Sequence, residues 1–149
     1  MRVLKRSGSY EEVSFDKILN RIKSLSNGPD FDYKLSIDPV IIAQKVCSEI
    51  YDGVKTTELD ELSSQIAISL YSTNLDYSIL ASRIVVSNHH KNTKEDFAMK
   101  VSMLFNAITE GRSTPLVNEG FYDLVQANKD AIQSTIDYSR DYDYDFFGL

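Results

Sequence analysis

Lys5, Arg6 and Lys17 are the cations of this sequence whose spacing could gather them around one anion. Ser7-Gly8-Ser9 separates two short runs, Arg2 to Arg6 and Tyr10 to Phe15, whose partial apolar/polar alternation predicts a β-hairpin. Such a hairpin folds Lys5 and Arg6 back towards the helix start that carries Lys17. Ammonium and guanidinium groups held there, joined by backbone N–H groups of the turn and of the helix N-terminus, are the chemistry that grips a phosphate chain. The same residues also suit a solvated basic edge that discourages strand pairing, and on residue type alone that plainer reading has the better claim.

Charge distribution favours the N-terminal segment as the anion-binding end. Residues 1–23 carry six basic groups (Arg2, Lys5, Arg6, Lys17, Arg21, Lys23) and three acids (Glu11, Glu12, Asp16), a net of +3, whereas the whole chain of 149 residues has a formal charge of −6. An acidic body with a pI near 4.9 argues against broad attraction to nucleic acid or an anionic membrane. Other chemistries are excluded by what is missing. Cys47 is the single cysteine, so an intrachain disulfide, a cysteine-based zinc site and a thiol redox pair cannot be built. His89 and His90 are adjacent, about 100° apart on a helix, and so poorly disposed to chelate one ion. No GxxxxGK[ST], GxGxxG or HExxH pattern occurs. The N-terminus has no apolar stretch resembling a secretory signal and no run of ~20 apolar residues occurs, so the expectation is an intracellular, cytoplasmic chain.

Helical elements must position the basic cluster. At 42% hydrophobic residues the chain can fill a core of its own. Ile18, Leu19, Ile22 and Leu25 make one apolar face of a first helix, ended by Asn27-Gly28-Pro29. Asp38-Pro39 supplies the cap and first residue of a second, with Val40, Ala43, Val46 and Ile50 on its buried stripe and Cys47 among them as a packing residue. Val54-Lys55-Thr56 can add a third strand. Thr57 then caps a third helix, with Asp60 at the capping-box position and Leu59, Leu62, Ile66 and Leu70 marking its face. A fourth helix opens at Asn74 or Asp76 and runs to about Lys91. Beyond it, Phe97, Val101, Leu104 and Ile108 predict a helix that Glu110 to Pro115 breaks, followed by helices from about Asn118 and from about Asn128 to Ile136. The ending, DYSRDYDYDFFGL, alternates acids with aromatics and reads as the start of a further domain rather than as a functional acidic tail.

Three segments carry a resemblance to a known family. KRSGSYEEVSFDKI (Lys5 to Ile18), YDGVKTTELDEL (Tyr51 to Leu62) and DYSILASRIVVSNHHK (Asp76 to Lys91) resemble, in order and spacing, the ATP-cone found at the N-terminus of class I ribonucleotide reductase large subunits. The stretch beyond, ending YSRDYDYDFFGL, is similar to the lead-in to the catalytic barrel of the eukaryotic and viral enzymes. The chain departs from the family pattern at Ser7, where Asp is usual, at Leu75 in place of Pro, and at His89 in place of an apolar residue.

The resemblance implies a mostly α fold with a small β cap: a four-helix bundle under a three-stranded sheet over residues 1–92, then a helical lead-in over residues 93–149. It implies that Lys5 and Arg6 approach the nucleotide from the strand, and that residues Glu11, Glu12, Val13, Ser14, Phe15, Asp16 and Lys17 wrap the adenine. In that segment the backbone from Glu11 to Ser14 reads the base edge and Lys17 reaches phosphate. Thr56 and Asp60 fall near the base and sugar, and Lys91 contacts phosphate. Lys5, Lys17 and Lys91 together would neutralise most of a triphosphate. The effectors implied are ATP as activator and dATP as inhibitor, with magnesium able to accompany them. The partners implied are further large subunits, in a dATP-dependent oligomer, and the radical-generating small subunit. The full enzyme would make deoxyribonucleotides from ribonucleoside diphosphates, with thioredoxin-type electron donors. This chain, lacking the catalytic cysteines, would be inactive alone. The alternatives are a structural or oligomerisation module with a decayed nucleotide site and, ranked lower, an ATP-cone transcriptional regulator.

Overall fold

A computed structural model describes residues 1–93 and 96–149. The chain divides into two compact units, one formed by Met1–His89 with Asp141–Leu149 and the other by His90–Arg140.

The first unit begins with the hairpin of β1 (Arg2–Leu4) and β2 (Tyr10–Glu12). These pair antiparallel with Val3 opposite Glu11, while β3 (Val54–Lys55) pairs parallel to the other edge of β1. The sheet order is therefore β2-β1-β3. Lys5 and Arg6, expected on the first strand, lie in the turn that follows it. Lys5 donates its N–H to Ser9 O at 2.8 Å and accepts from Gly8 N at 2.9 Å, which closes the loop and ends the ladder at Leu4. Gly8 has φ +82°, a left-handed conformation that glycine reaches without a Cβ clash. Gly53 (φ +87°) serves the same purpose before β3, and its N–H donates to Arg2 O at 2.7 Å, tying the distant strand to β1.

Helices α1 (Phe15–Asn27), α2 (Pro39–Glu49), α3 (Thr56–Ser69) and α4 (Asp76–Asn92) follow as the sequence pattern anticipates. Ser14 caps α1 and Asp38 caps α2, the latter accepting from Val40 N at 2.9 Å. The start of α3 differs from expectation. Lys55, not Thr57, is the capping position, and Glu58 rather than Asp60 returns its carboxylate to the cap backbone, accepting from Lys55 N at 3.1 Å. The strand runs straight into the helix, which moves the cap two residues towards the N-terminus and releases Asp60 for another use. Ile22, Ile42, Val46, Leu80 and Ile84 fill the centre of the unit. Cys47 is half-buried beside them, and desolvation pushes its thiol pKa up, which suits packing rather than nucleophilic work. In the last residues, Tyr142 and Phe146 pack on this same core, Tyr142 meeting the Phe31 ring edge-on at 5.0 Å.

The second unit holds α5 (Phe97–Phe105), a hairpin of β4 (Ile108–Thr109) and β5 (Arg112–Ser113), α6 (Glu119–Ala127) and α7 (Lys129–Thr135). Its buried centre is Ala98, Val101 and Val125, with Phe105 stacked on Tyr122 at 4.4 Å. The apolar stripe read from Phe97 to Ile108 overran the helix. Glu110 and Gly111 both take positive φ (51° and 76°), the demand of a two-residue hairpin turn, so Ile108 becomes a strand residue, 71% exposed.

Candidate functional site

Two polar clusters of the first unit take up most of the residues expected to form a site. The hairpin turn, the first turns of α1, the start of α3 and α4 supply them.

The first cluster is built on Glu11. Strand alternation sends Glu11 and Glu12 to opposite faces of β2. Glu11 is half-buried, and its carboxylate bridges two cations, with Oε2 paired to Lys5 Nζ and Oε1 to Lys17 Nζ. Lys17 stands in the first turn of α1, where its backbone N–H donates to Ser14 Oγ at 3.4 Å. The structure therefore does bring Lys5 and Lys17 together, from the two sides of β2, with a carboxylate between them.

The second cluster is built on Asp60, 8% exposed. A buried carboxylate needs charged partners to offset its desolvation, and Asp60 has one guanidinium on each oxygen. Arg6 Nη2 lies 3.4 Å from Oδ2 and Arg21 Nε 3.4 Å from Oδ1. Arg6 also donates from Nη1 to Thr56 Oγ1 at 3.4 Å and from Nη2 to Asn88 Oδ1 at 2.5 Å. Arg21 donates from Nη2 to Ser87 Oγ at 2.9 Å. One carboxylate thus links the hairpin turn, α1, α3 and, through Ser87 and Asn88, α4.

Arg21, Ser87 and Asn88 are the members that sequence reasoning missed. A signal existed. Lys17 and Arg21 are four residues apart and so share a helix face, and Ser87 and Asn88 interrupt the apolar face that Leu80 and Ile84 begin. The two clusters share their supports, because Lys5 and Arg6 are sequential and Lys17 and Arg21 stand one turn apart on α1.

The remaining expected residues are placed as follows. Val13 is partly buried against the core, and its N–H is committed to Met1 O at 3.1 Å. Glu12 is exposed at the end of β2, opposite Arg2. Phe15 opens α1 with its ring partly exposed, and Asp16 is exposed in the first turn. Lys91 belongs to the second unit, three residues on from Asn88 along α4. At the start of α3, Glu58 accepts from Tyr51 Oη at 2.8 Å as well as from Lys55 N. These bonds hold its pKa below the usual carboxylate range, the backbone bond being the larger cause.

Among the described residues no group of three or more His, Cys, Asp or Glu is arranged to hold a metal, and no helix is long and apolar enough to cross a membrane.

Comparison with known proteins decides the family. Residues 1–92 match the ATP cone domain. The chain belongs to the ATP-cone family. Its whole length also aligns with the N-terminal region of ribonucleoside-diphosphate reductase large subunits. It is 42% identical over 151 residues to that subunit of Arabidopsis thaliana, 44% over 154 residues to that of Dictyostelium discoideum, and 44% over 151 residues to that of Vaccinia virus. All of this chain is covered in each case, against 18%, 17% and 19% of the relatives' own lengths, so the chain spans less than a fifth of the proteins it matches.

Proposed function

We propose that the first unit of this ATP-cone chain binds ATP and dATP as allosteric effectors. In a ribonucleoside-diphosphate reductase large subunit it would set overall activity, ATP activating and dATP inhibiting through association of large subunits. The observation that carries the reading is the meeting of Lys5 and Lys17 on a single carboxylate, one residue and one helical turn away from the paired guanidinium groups of Arg6 and Arg21. A triphosphate needs cations grouped in this way, and the alignment with reductase large subunits gives the effector its setting.

Lys5 and Lys17 would take the phosphates, Lys91 would join them from the end of α4, and magnesium would accompany the phosphate chain. Thr56 and Asp60 would face the base and sugar, with residues Glu11 to Phe15 bordering the adenine. ATP and dATP differ by one hydroxyl, so discrimination must come from a hydrogen bond made or lost near that group, coupled to a change in subunit contacts. In the longer cytoplasmic enzyme the partners would be other large subunits and the radical-generating small subunit, and the product deoxyribonucleotides. The catalytic cysteines would lie outside these 149 residues.

Isothermal titration of the chain with ATP and with dATP tests the reading, beside Lys5→Ala and Lys91→Ala. Saturable heat for both nucleotides, weakened in each variant, is expected. No saturable heat with either nucleotide would overturn the sensing function and leave a structural module.

A further inference from the structure

Glu11 occupies the position in which a bound anion would be expected. Its two oxygens are divided between the ammonium groups of Lys5 and Lys17, and its own strand places it there, since Glu11 pairs with Val3 in the β1–β2 ladder. Both lysines are more exposed than the carboxylate between them, with side chains 48% and 69% exposed against 25%. Solvent therefore reaches the cations, while the acid is held from behind by the sheet.

We propose that Glu11 is an affinity-limiting residue of this anion site, an internal competitor that a phosphate chain must displace to reach both lysines. The inference rests on the nucleotide reading above and adds to it the residue that holds affinity down. A carboxylate tethered on the same strand competes at an effective concentration in the millimolar range or higher. A ligand that engages one ammonium group leaves the other on Glu11 and gains little from the exchange. A chain of several phosphates can hold Lys5 and Lys17 at once, so only such a ligand replaces both ion pairs in a single event. Glu11 thereby lowers affinity most for the ligands that engage both lysines.

The test compares the 149-residue chain with its Glu11→Gln variant by isothermal titration, using inorganic tripolyphosphate, ATP and AMP as probes. Glu49→Gln, an exposed residue of α2, matches the change in total charge. Circular dichroism checks that each variant is folded, and Glu11→Thr, suited to a strand, is the second variant if glutamine perturbs the hairpin. Removal of the internal competitor is expected to tighten tripolyphosphate and ATP by about three- to tenfold and AMP by less, so that the ATP-over-AMP preference widens. Wild-type binding of ATP with no gain in the Glu11 variants, or an equal gain in Glu49→Gln, overturns the proposal and leaves the nucleotide reading standing. Tight tripolyphosphate binding by Glu11→Gln without ATP binding supports the internal competitor and overturns the nucleotide reading. No binding of any probe by any of the chains overturns both.

Discussion

Two arginine-centred clusters in the first unit use the same side chain for opposite ends. Arg83, on α4, is 6% exposed. Its Nη1 donates to Leu25 O at 3.0 Å and Ser26 O at 3.1 Å, its Nη2 donates to Tyr33 O at 2.8 Å, and its guanidinium stacks over the Phe31 ring at 4.0 Å. Burial pulls its pKa down, partly opposed by the Asp76 carboxylate. Its bonded partners are main-chain carbonyls of one continuous stretch, the end of α1 and the loop after it, and nothing in that arrangement needs a ligand. Arg6 and Arg21, by contrast, reach side chains drawn from α3 and α4 and remain about a quarter exposed. Donors aimed at fixed carbonyls build a fold, whereas donors aimed at side chains at an accessible edge can be re-paired when an anion arrives. Burial and the identity of the acceptors, not the residue type, separate an arginine locked into the fold from one that solvent reaches.

The comparison can be broken most forcefully at Arg83. Arg83→Ala strands several buried carbonyls and removes the contact with Phe31, so a loss of about 3 kcal/mol in urea unfolding is expected. Nucleotide affinity of the molecules that remain folded should be unchanged. A nucleotide effect as large as the stability effect would erase the distinction. Arg21→Ala should lower stability by about 1–2 kcal/mol, because Asp60 keeps one guanidinium and loses the other. It should also weaken ATP binding in titration, and Arg21→Lys should restore stability only in part, since an ammonium group cannot serve Asp60 and Ser87 with the geometry of a guanidinium. Lys17→Ala sharpens the contrast from the other side. An ion pair whose cation is largely exposed typically contributes about 0.2–1 kcal/mol, so thermal unfolding should move little while ATP affinity falls.

The smallest expected effect concerns pH. Glu58 has its pKa depressed by the Lys55 and Tyr51 bonds, so its contribution is complete above the ordinary carboxylate range and is lost as pH falls through the depressed value. Unfolding midpoints followed from about pH 5 down to about pH 3 should decline less steeply in Glu58→Gln than in the natural chain. An identical decline in both would show that the cap at α3 is not felt in stability.

Much of this molecule was legible as a sequence, and the misses have physical causes. Turn glycines, the Asp38 cap and the 3.6-residue apolar spacing are local signals, and each element they mark is present. The α3 cap was displaced because β3 abuts the helix, a tertiary circumstance. The overrun of α5 into Ile108 arose because an apolar residue at helical spacing satisfies the pattern even when two consecutive positive φ angles fold the chain back. Within the site, the basic character of residues 1–23 and the approach of Lys5 to the helix start that carries Lys17 could be anticipated from the sequence. The attachment of Arg21 to Asp60, thirty-nine residues away, could not.

The sequence by itself determined the helices and the hairpin, the basic N-terminal end and the family, because those depend on residue type and near-neighbour spacing. Only the tertiary structure decided which charges meet. Glu11 lies between the lysines because strand pairing fixes the face it points from. Asp60 is shared by two arginines because its burial on α3 leaves an uncompensated carboxylate that only groups from other elements can neutralise.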